Sequence, residues 1–358
     1  HLLEPSRLQL IQYSEDFSDA SWTKGGTSVT SGFVSPDGTL NADKITPTGI
    51  NEAHQIYQNK TITSNQSYTI SVFMKFGGYR YLECRETFGG KGIGFDTTTQ
   101  TFYGINTPTS FKGVILKNGW VRMEATYTSI GTSAFFLLYS TPILMNPTFL
   151  GDGTSGFYTW GAQLEQGSYA TSYIPTTSSA VTRVAETANG AGDASTFNDS
   201  EGVLMAEISA LANIGSFENI SLSNGSSASR VFLFYRNSLN LMEFRVTVNN
   251  SIQMVFQHTI ADAKTSNKFA IKYKENDFAI WINGIEVHTD PNGITFGSFP
   301  LTNLSLDNGQ VSSPTDPFKG KTKQLQYFDS ALNDSDLETI TSWTSFTDLA
   351  NGQTYSIK

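Results

Sequence analysis

Basic residues are scarce in this sequence. Its 358 residues include 23 Lys and Arg against 32 Asp and Glu, which gives a formal net charge of −9 at pH 7. Proteins that bind a phosphate backbone carry runs or patches of basic residues, and no such run is present, so no nucleic-acid partner is predicted. Repulsion from an anionic membrane is expected as well, whereas binding of neutral sugars is not hindered.

Cysteine is nearly absent, since Cys84 is the only one. A single cysteine excludes an intrachain disulfide and a Cys-rich zinc site, and the alternating stretch YLECRE around Cys84 predicts a small buried core residue. No apolar run is long enough to cross a bilayer, so no membrane insertion is expected. No two histidines stand at metal-ligand spacing, and no phosphate-binding, dinucleotide-binding or Gly-x-Ser-x-Gly motif occurs. The sequence therefore predicts neither a catalytic residue nor an organic cofactor.

Short alternating segments and aromatic residues, which make up 13% of the chain, dominate instead. In VRMEATYTS (121–129), apolar and polar residues alternate, and turn clusters such as SPDGT and KNGW separate segments of this kind. A period of two between such turns predicts antiparallel strands, and no helical pattern occurs before residue 330. Asn283-Gly284, between two strand-like segments, predicts a tight type I′ hairpin.

The last regular pattern, LNDSDLETITSW, predicts one short helix. Asn333 would be its N-cap, and Leu332 with Leu337 would form a hydrophobic staple. The fold class is therefore predicted as all-β, with two consecutive antiparallel β-sandwiches of the jelly-roll kind and one short C-terminal helix. Four tryptophans lie in alternating segments and are predicted to be in the cores: Trp22, Trp120, Trp160 and Trp281.

The alternation fades between about residues 174 and 200, where Pro, Thr, Ser and Gly accumulate. Such a stretch buries little apolar surface and is typical of a connector. The predicted organisation is an N-terminal extension (1–10), a jelly roll (11–176), a connector (177–200), a second sandwich (201–346) and a C-terminal tail (347–358).

Two stretches carry a resemblance for the first half. LLEPSRLQLIQYSEDFSDASWTKGG through VSPDGTLNADKI, and later GFYTWGAQLEQGSYATSYIPTTSSAVTRVAE, resemble the opening and closing motifs of a module that recurs in bacteriophage tail and fibre proteins. That module is similar in architecture to jelly-roll carbohydrate-binding modules. The resemblance covers roughly residues 2–186 and implies a particle-surface protein that contacts glycans.

The second half resembles a laminin-G-like, concanavalin A-like sandwich. The residues that carry this resemblance are FAIWINGIEV and NLSLDNGQVSSPTDPFKGKTKQLQYFDSALNDSDLETI, over about residues 200–345. The resemblance implies a fold and hardly limits the function, because such domains serve as adhesins, lectins, spacers and enzyme appendages.

Acidic residues near the start raise the question of catalysis. YSEDFSDASW (13–22) places Glu15, Asp16 and Asp19 between aromatic residues, and such a group could be a glycosidase carboxylate pair or a solvated loop with Phe17 and Trp22 turned into the core. The loop interpretation is favoured, because the E-x-D-x-x-E strand signature of sandwich-fold glycosidases is absent. FMKFGGYRYLE is similar to one strand of jelly-roll alginate lyases, but the two other strands that those enzymes require are not reproduced.

Aromatic side chains in turns are the remaining candidates for sugar contacts, because the C–H faces of sugars stack on aromatic rings. The candidate residues for carbohydrate binding are Tyr79, Arg80, Phe88 and Tyr103. Oxygen-rich loops could also hold a structural calcium ion, or could form ordinary Asx turns; the candidate ligands are Asp37, Asp152, Asp307 and Asp316.

The function predicted from the sequence is non-enzymatic. We expect a structural and adhesive protein of a virion, located in a tail fibre, tail tip or head fibre. Its expected ligands are glycans of a bacterial surface. Its expected protein partners are further copies of itself, as a homo-oligomer, and other virion proteins. The expected location is the virion surface or the extracellular space. The alternatives are a carbohydrate-binding appendage of a secreted polysaccharide-degrading enzyme and a virion decoration protein without a ligand.

Overall fold

The computed structural model describes residues 1–87, 90–212, 217–238 and 240–343. The chain divides into two compact units. The first, called the N-terminal sandwich, comprises Ser6–Val184; the second, called the C-terminal sandwich, combines His1–Pro5 with the chain from Ala185 onwards. The all-β prediction is confirmed, with several antiparallel sheets and one short helix. No described helix has the length and apolar character needed to cross a membrane.

The described residues of the N-terminal sandwich form sixteen strands. Their bounds are β1 Arg7–Gln9, β2 Thr23–Gly25, β3 Thr27–Phe33, β4 Ala42–Pro47, β5 Asn51–Ala53, β6 Gln55–Thr61, β7 Ser67–Gly77, β8 Tyr81–Arg85, β9 Gly92–Asp96, β10 Thr101–Ile105, β11 Ser110–Ile115, β12 Trp120–Thr128, β13 Ser133–Thr141, β14 Thr148–Leu150, β15 Gly156–Gln166 and β16 Val181–Arg183, with a short 3₁₀ turn at Lys117–Gly119.

Two large sheets enclose the core of this unit. One has the order β11-β12-β7-β15-β1-β16, with β4 also paired to β15 and β3 to β4; the other has the order β10-β9-β8-β13-β6-β2. The apolar residues of the alternating segment 121–129 face the core, as predicted, since Val121, Met123 and Ala125 are buried between the sheets. Cys84 is also fully buried there, as predicted. A small pair, β14 with β5, completes the unit.

In the C-terminal sandwich, ten strands and the helix lie within the part of the chain that the structure describes. Their bounds are β17 Glu201–Ala210, β18 Glu218–Ser223, β19 Arg230–Tyr235, β20 Leu241–Val248, β21 Ser251–Thr259, β22 Asn267–Lys274, β23 Phe278–Ile282, β24 Ile285–Asp290, β25 Asn303–Ser305, β26 Gly320–Phe328 and α1 Asp334–Thr341.

Two five-stranded sheets, β24-β23-β22-β17-β26 and β21-β20-β19-β18-β25, form this unit. The predicted hairpin is confirmed between β23 and β24, because Asn283 and Gly284 have φ values of 50° and 84°, as a type I′ turn requires. The helix begins as predicted, with the Asn333 side chain accepting a hydrogen bond from the Asp336 amide at 3.0 Å. Leu337 is buried, and Leu332 packs against the same cluster.

Some segments whose sequence shows no alternation of apolar and polar residues are attached to the sandwiches by short backbone pairings. Leu3 is buried and exchanges backbone hydrogen bonds with Gly320, so the first residues belong to the C-terminal sandwich. β1 lies inside the segment predicted as an N-terminal extension, and β16, which pairs with it, lies inside the predicted connector. The chain leaves the N-terminal sandwich between Val184 and Ala185, also within that connector. The remaining boundaries drawn from the sequence stay predictions.

All four tryptophans predicted as core residues are buried. Their exposed fractions are 1% for Trp22, 2% for Trp120, and 6% each for Trp160 and Trp281. None of the four is therefore available to a ligand, which leaves the search for a site to other side chains.

Candidate functional site

The acidic residues of the opening motif form a loop, as predicted. Phe17 is fully buried, whereas the Asp16 side chain faces solvent and accepts hydrogen bonds from the amide and hydroxyl of Ser18. In the same way, a carboxylate oxygen of Asp19 accepts a hydrogen bond from the Ser21 amide at 2.7 Å. These carboxylates are occupied in local turns and do not form a pair across a cleft.

The aromatic and basic residues predicted to contact sugars lie in different places. The hydroxyl of Tyr79 accepts a hydrogen bond from the Asp152 amide at 3.1 Å, and its ring meets the edge of Phe149 at 4.9 Å. Arg80 forms a two-bond ion pair with Asp96, at 2.9 and 2.7 Å, and lines a groove of about 490 Å³. The geometry thus separates Tyr79 from Arg80, although they are neighbours in sequence.

Tyr103 lies on a sheet face instead, and Phe88 lies outside the described residues. The Tyr103 hydroxyl donates to Glu83 at 2.8 Å, and burial, with the Glu83 charge adding to it, raises the pKa of Tyr103 far above its usual value. The described members of the predicted set are not brought together into one site, and their role in sugar binding stays a prediction.

Two of the predicted calcium ligands form Asx turns. Asp37 accepts from the Ser35 hydroxyl at 2.5 Å and from the Thr39 amide at 2.8 Å, and Asp152 accepts from the amides of Thr154 and Ser155. These hydrogen bonds lower the pKa of both carboxyl groups.

The other two predicted ligands lie in one loop of the C-terminal sandwich. Asp307 is buried and accepts from the Gly309 amide at 2.7 Å, and burial raises its pKa. Asp316 accepts from the Thr315 hydroxyl at 3.0 Å. Within the described part of the chain, no group of three or more His, Cys, Asp or Glu side chains is placed to hold a metal ion. Calcium binding through carbonyl oxygens stays a prediction.

Glu83 forms a buried charged centre on the face of the β10-β9-β8-β13-β6-β2 sheet that points away from the core. It accepts hydrogen bonds from Arg85, from the hydroxyls of Tyr103 and Tyr139, and from the amide of Met145. Four donors fill both carboxylate oxygens, and the side chain is fully buried. A carboxylate in this state can neither accept a proton from a substrate nor attack it, so we assign Glu83 a structural role.

A second, more open group of residues lies on the β21-β20-β19-β18-β25 sheet. In RVFLFYR (230–236), alternate residues of β19 point into the core, as Leu233 and Tyr235 do, while Arg230, Phe232 and Phe234 point outward. The Phe232 and Phe234 rings stack at 5.1 Å with an angle of 12° between them. This strand therefore forms a floor of two nearly buried rings, 3% and 6% exposed, with an arginine at each end.

The floor lies in a groove of about 310 Å³, which we call the arginine groove and define by Arg230, Phe232, Phe234, Arg236 and Arg245. Its volume is at the lower end of the roughly 300–1,000 Å³ of small-molecule sites. Amide side chains of Asn219 and Asn308 also line the groove, as does the half-exposed ring of Phe217.

Glu243 is the carboxylate beneath the groove, and both of its oxygens are already paired with neighbouring side chains. Arg236 and Arg245 each form an ion pair with one of its oxygens, and Gln257 donates to it at 2.8 Å. Glu243 is fully buried, so its role is to fix the positions of the two arginines. It offers no free acid or base.

Arg230 is held differently from the other two arginines. Its Nη1 donates to the Asn308 carbonyl at 2.6 Å, and its guanidinium lies 4.1 Å from the Phe232 ring centroid. Burial, together with the charge of Arg245, lowers the pKa of Arg230. None of these residues was predicted from the sequence, although the outward alternation of Arg and Phe in RVFLFYR was a signal for them.

No protein-family model matches the sequence. No curated protein matches it. Among solved structures, the chain is similar to the CBM40 module of a Ruminococcus gnavus IT-sialidase bound to α2,3-sialyllactose, with 16% identity, a TM-score of 0.37, and coverage of 43% of this chain and 94% of that one. It is also similar to a leech intramolecular trans-sialidase, with 15% identity, a TM-score of 0.35, and coverage of 42% and 24%. A heptameric SAP-like pentraxin from Limulus polyphemus has 13% identity, a TM-score of 0.34, and coverage of 41% and 71%. Similarity at this level assigns no ligand to this chain.

Proposed function

We propose that this chain is a non-catalytic glycan-binding protein, that the arginine groove is its binding site, and that it serves as an adhesive component on the surface of a bacteriophage particle. One observation carries the glycan part: the groove combines the partly exposed ring of Phe217 with arginine and asparagine side chains. Rings that contact sugar C–H faces and donors that reach hydroxyl groups are the two elements of such a site.

The absence of catalysis is supported by the state of the buried carboxylates on the two sheet faces. Hydrolysis of a glycosidic bond needs two carboxyl groups on opposite sides of the bond, one of which exchanges a proton with the leaving oxygen. Glu243 and Glu83 are both buried and fully hydrogen-bonded. A protein with these groups can hold a saccharide without cleaving it.

The particle-surface part of the proposal is supported by the sequence resemblance of residues 2–186 to the module of tail and fibre proteins. Other virion proteins and further copies of the chain are the partners that this location implies. Several copies on one particle would raise avidity by roughly 10²–10⁴ over a single groove, which suits a shallow site.

Phe217 provides the test of the groove, because it is 37% exposed and its loss should leave the core intact. The full chain, clustered on beads, is incubated with purified bacterial surface polysaccharides. We expect binding without product release, and we expect Phe217→Ala to weaken it by about 3–10-fold. Phe111→Ala, at a ring 47% exposed in the N-terminal sandwich, is the matched control and should bind as the wild type does. Equal binding by both variants, or release of reducing ends, would refute the proposal.

A further inference from the structure

The arginine groove holds more positive than negative charge. Arg230, Arg236 and Arg245 face two carboxylates, Glu243 below the groove and Asp316 at its wall. Glu243 is used by Arg236 and Arg245, and among the described residues no carboxylate lies within 4.0 Å of the Arg230 guanidinium. This local surplus occurs in a chain whose net charge is −9.

Part of the hydrogen-bonding capacity of two arginines is also unused inside the protein. The Nε atoms of Arg230 and Arg245 are buried, and neither has a hydrogen-bond partner within the described part of the chain. Buried guanidinium N–H groups are stabilised most by a charged acceptor, such as a carboxylate or sulfate oxygen. Burial and the charge of Arg245 lower the pKa of Arg230, and the charge of Asp316 opposes this shift only in part.

Phe232 keeps the two unpaired guanidinium edges close together. Its ring centroid lies 4.1 Å from Arg230 and 5.5 Å from Arg245, so both cations are held against one ring. Two arginines on one aromatic ring repel each other, and an anion shared between them relieves this repulsion. The partly exposed ring of Phe217, which lines the same groove, offers a surface to the carbon skeleton of a sugar. The ligand that fits both features is a sugar that carries a negative group.

We propose that the arginine groove binds the anionic group of an acidic saccharide, with Arg230 and Arg245 donating to its carboxylate or sulfate oxygens and Phe217 contacting its ring. The inference rests on the proposed function, because it names the chemical class of glycan that the groove takes. It also explains how a chain of acidic composition can bind an acidic polymer, since the attraction is confined to one groove. Binding should therefore weaken as salt is added, in contrast to what the net charge alone suggests.

The test uses the full chain and pairs of polymers that differ only in charge. Bacterial surface polysaccharides that bind in the bead assay are compared before and after reduction of their carboxyl groups to alcohols, and before and after desulfation. We expect at least one of the two treatments to weaken binding by about tenfold or more. Raising NaCl from about 20 to about 500 mM should weaken it similarly. The treatment that has the effect identifies the anionic group.

Variants locate the effect in the groove. Arg230→Gln should weaken binding of the untreated polymer by about tenfold, and Arg230→Lys, which keeps the charge but loses the planar fork, should give an intermediate value. Lys321→Gln removes one exposed positive charge from the same unit without touching the groove and should change binding less than about twofold. Thermal unfolding of each variant shows whether it is folded.

The outcomes separate this inference from the proposed function. Binding that survives both treatments but is weakened by Phe217→Ala would overturn the acidic class and leave glycan binding in place. Equal binding by Arg230→Gln and the wild type would also overturn the inference. If no polysaccharide binds at all, both proposals fall.

Discussion

The guanidinium of Arg230 lies 4.1 Å from the centroid of the Phe232 ring, and Arg245 approaches the same ring at 5.5 Å. Phe232 is 3% exposed and is opposite Arg245 in the antiparallel pairing of β19 with β20. Strand register therefore fixes the two cations relative to each other before any ligand arrives. A site organised in this way loses little entropy on binding, which favours affinity in a small groove.

Glu243 should be important for stability as well as for the shape of the groove. Glu243→Gln leaves Arg236 and Arg245 without their carboxylate, and we expect a loss of about 1–3 kcal/mol in the free energy of unfolding, measured by urea denaturation. Glu201→Gln removes the partner of Lys274 from an exposed pair and should cost less than about 1 kcal/mol. Similar losses in the two variants would show that the buried network contributes no more than a surface ion pair.

Glu218 should make the C-terminal sandwich less stable as the solution becomes neutral. Burial raises its pKa to about 7 from the ordinary value of 4.5, so the folded state holds a proton that the unfolded state releases. Stability from this group is fully present below about pH 4.5 and is lost as the pH rises through about 7.

Replacing Glu218 with Gln removes this titration, because an amide stays neutral. We expect Glu218→Gln to raise the free energy of unfolding at pH 8 by about 1–3 kcal/mol relative to the wild type and to have little effect at pH 4.5. Urea denaturation at the two pH values measures the difference. A gain of equal size at both would contradict the assignment, since a packing effect would not depend on pH.

Gly94 provides the space that Tyr103 needs to reach Glu83. A Cβ atom added at Gly94 would lie 2.1 Å from the Cζ atom of Tyr103, so Gly94→Ala must displace the ring and break its hydrogen bond to Glu83. We expect a loss of about 1–3 kcal/mol in the free energy of unfolding. Gly131→Ala is the control, because nothing lies within 4 Å of an added Cβ there, and its stability should match that of the wild type. A stable Gly94→Ala variant would mean that Tyr103 moves without cost.

Cys84 should be unreactive while the protein is folded. Burial raises the pKa of its thiol far above the usual value, so almost no thiolate forms at neutral pH. A thiol reagent such as a maleimide should modify the native protein at no measurable rate at pH 7 and should react fully in denaturant. Rapid labelling of the native protein would show that the core around Cys84 opens.

Strand patterns were readable from the sequence wherever one face of a strand is buried and the other is not. Residues 121–129 and the Asn283-Gly284 turn are examples, because alternation and turn chemistry are local properties of the chain. β1 and β16 were not readable, since strands of three residues have no detectable period and form only by pairing with each other and with β15.

The groove could be predicted only in part. Its outward residues are encoded in RVFLFYR, but whether they lie open or covered depends on the loop that carries Asn308 and Asp316, which approaches from far along the chain. The separation of Tyr79, Arg80 and Tyr103 has the same origin, because Tyr79 and Arg80 lie in the turn between β7 and β8 whereas Tyr103 lies on β10. Contacts between segments that are distant in the chain cannot be predicted from a single sequence.

The pairing of Leu3 with Gly320 makes the N-terminal sandwich a domain inserted into the C-terminal one. The chain crosses between the units twice, so a single proteolytic cut between Val184 and Ala185 would leave them covalently joined through Pro5 and Ser6. The inserted domain can complete its own sheets as soon as β16 has been synthesised. Residues 1–5 precede the inserted domain in the chain, but Leu3 can form its hydrogen bonds with Gly320 only after β26 has been synthesised.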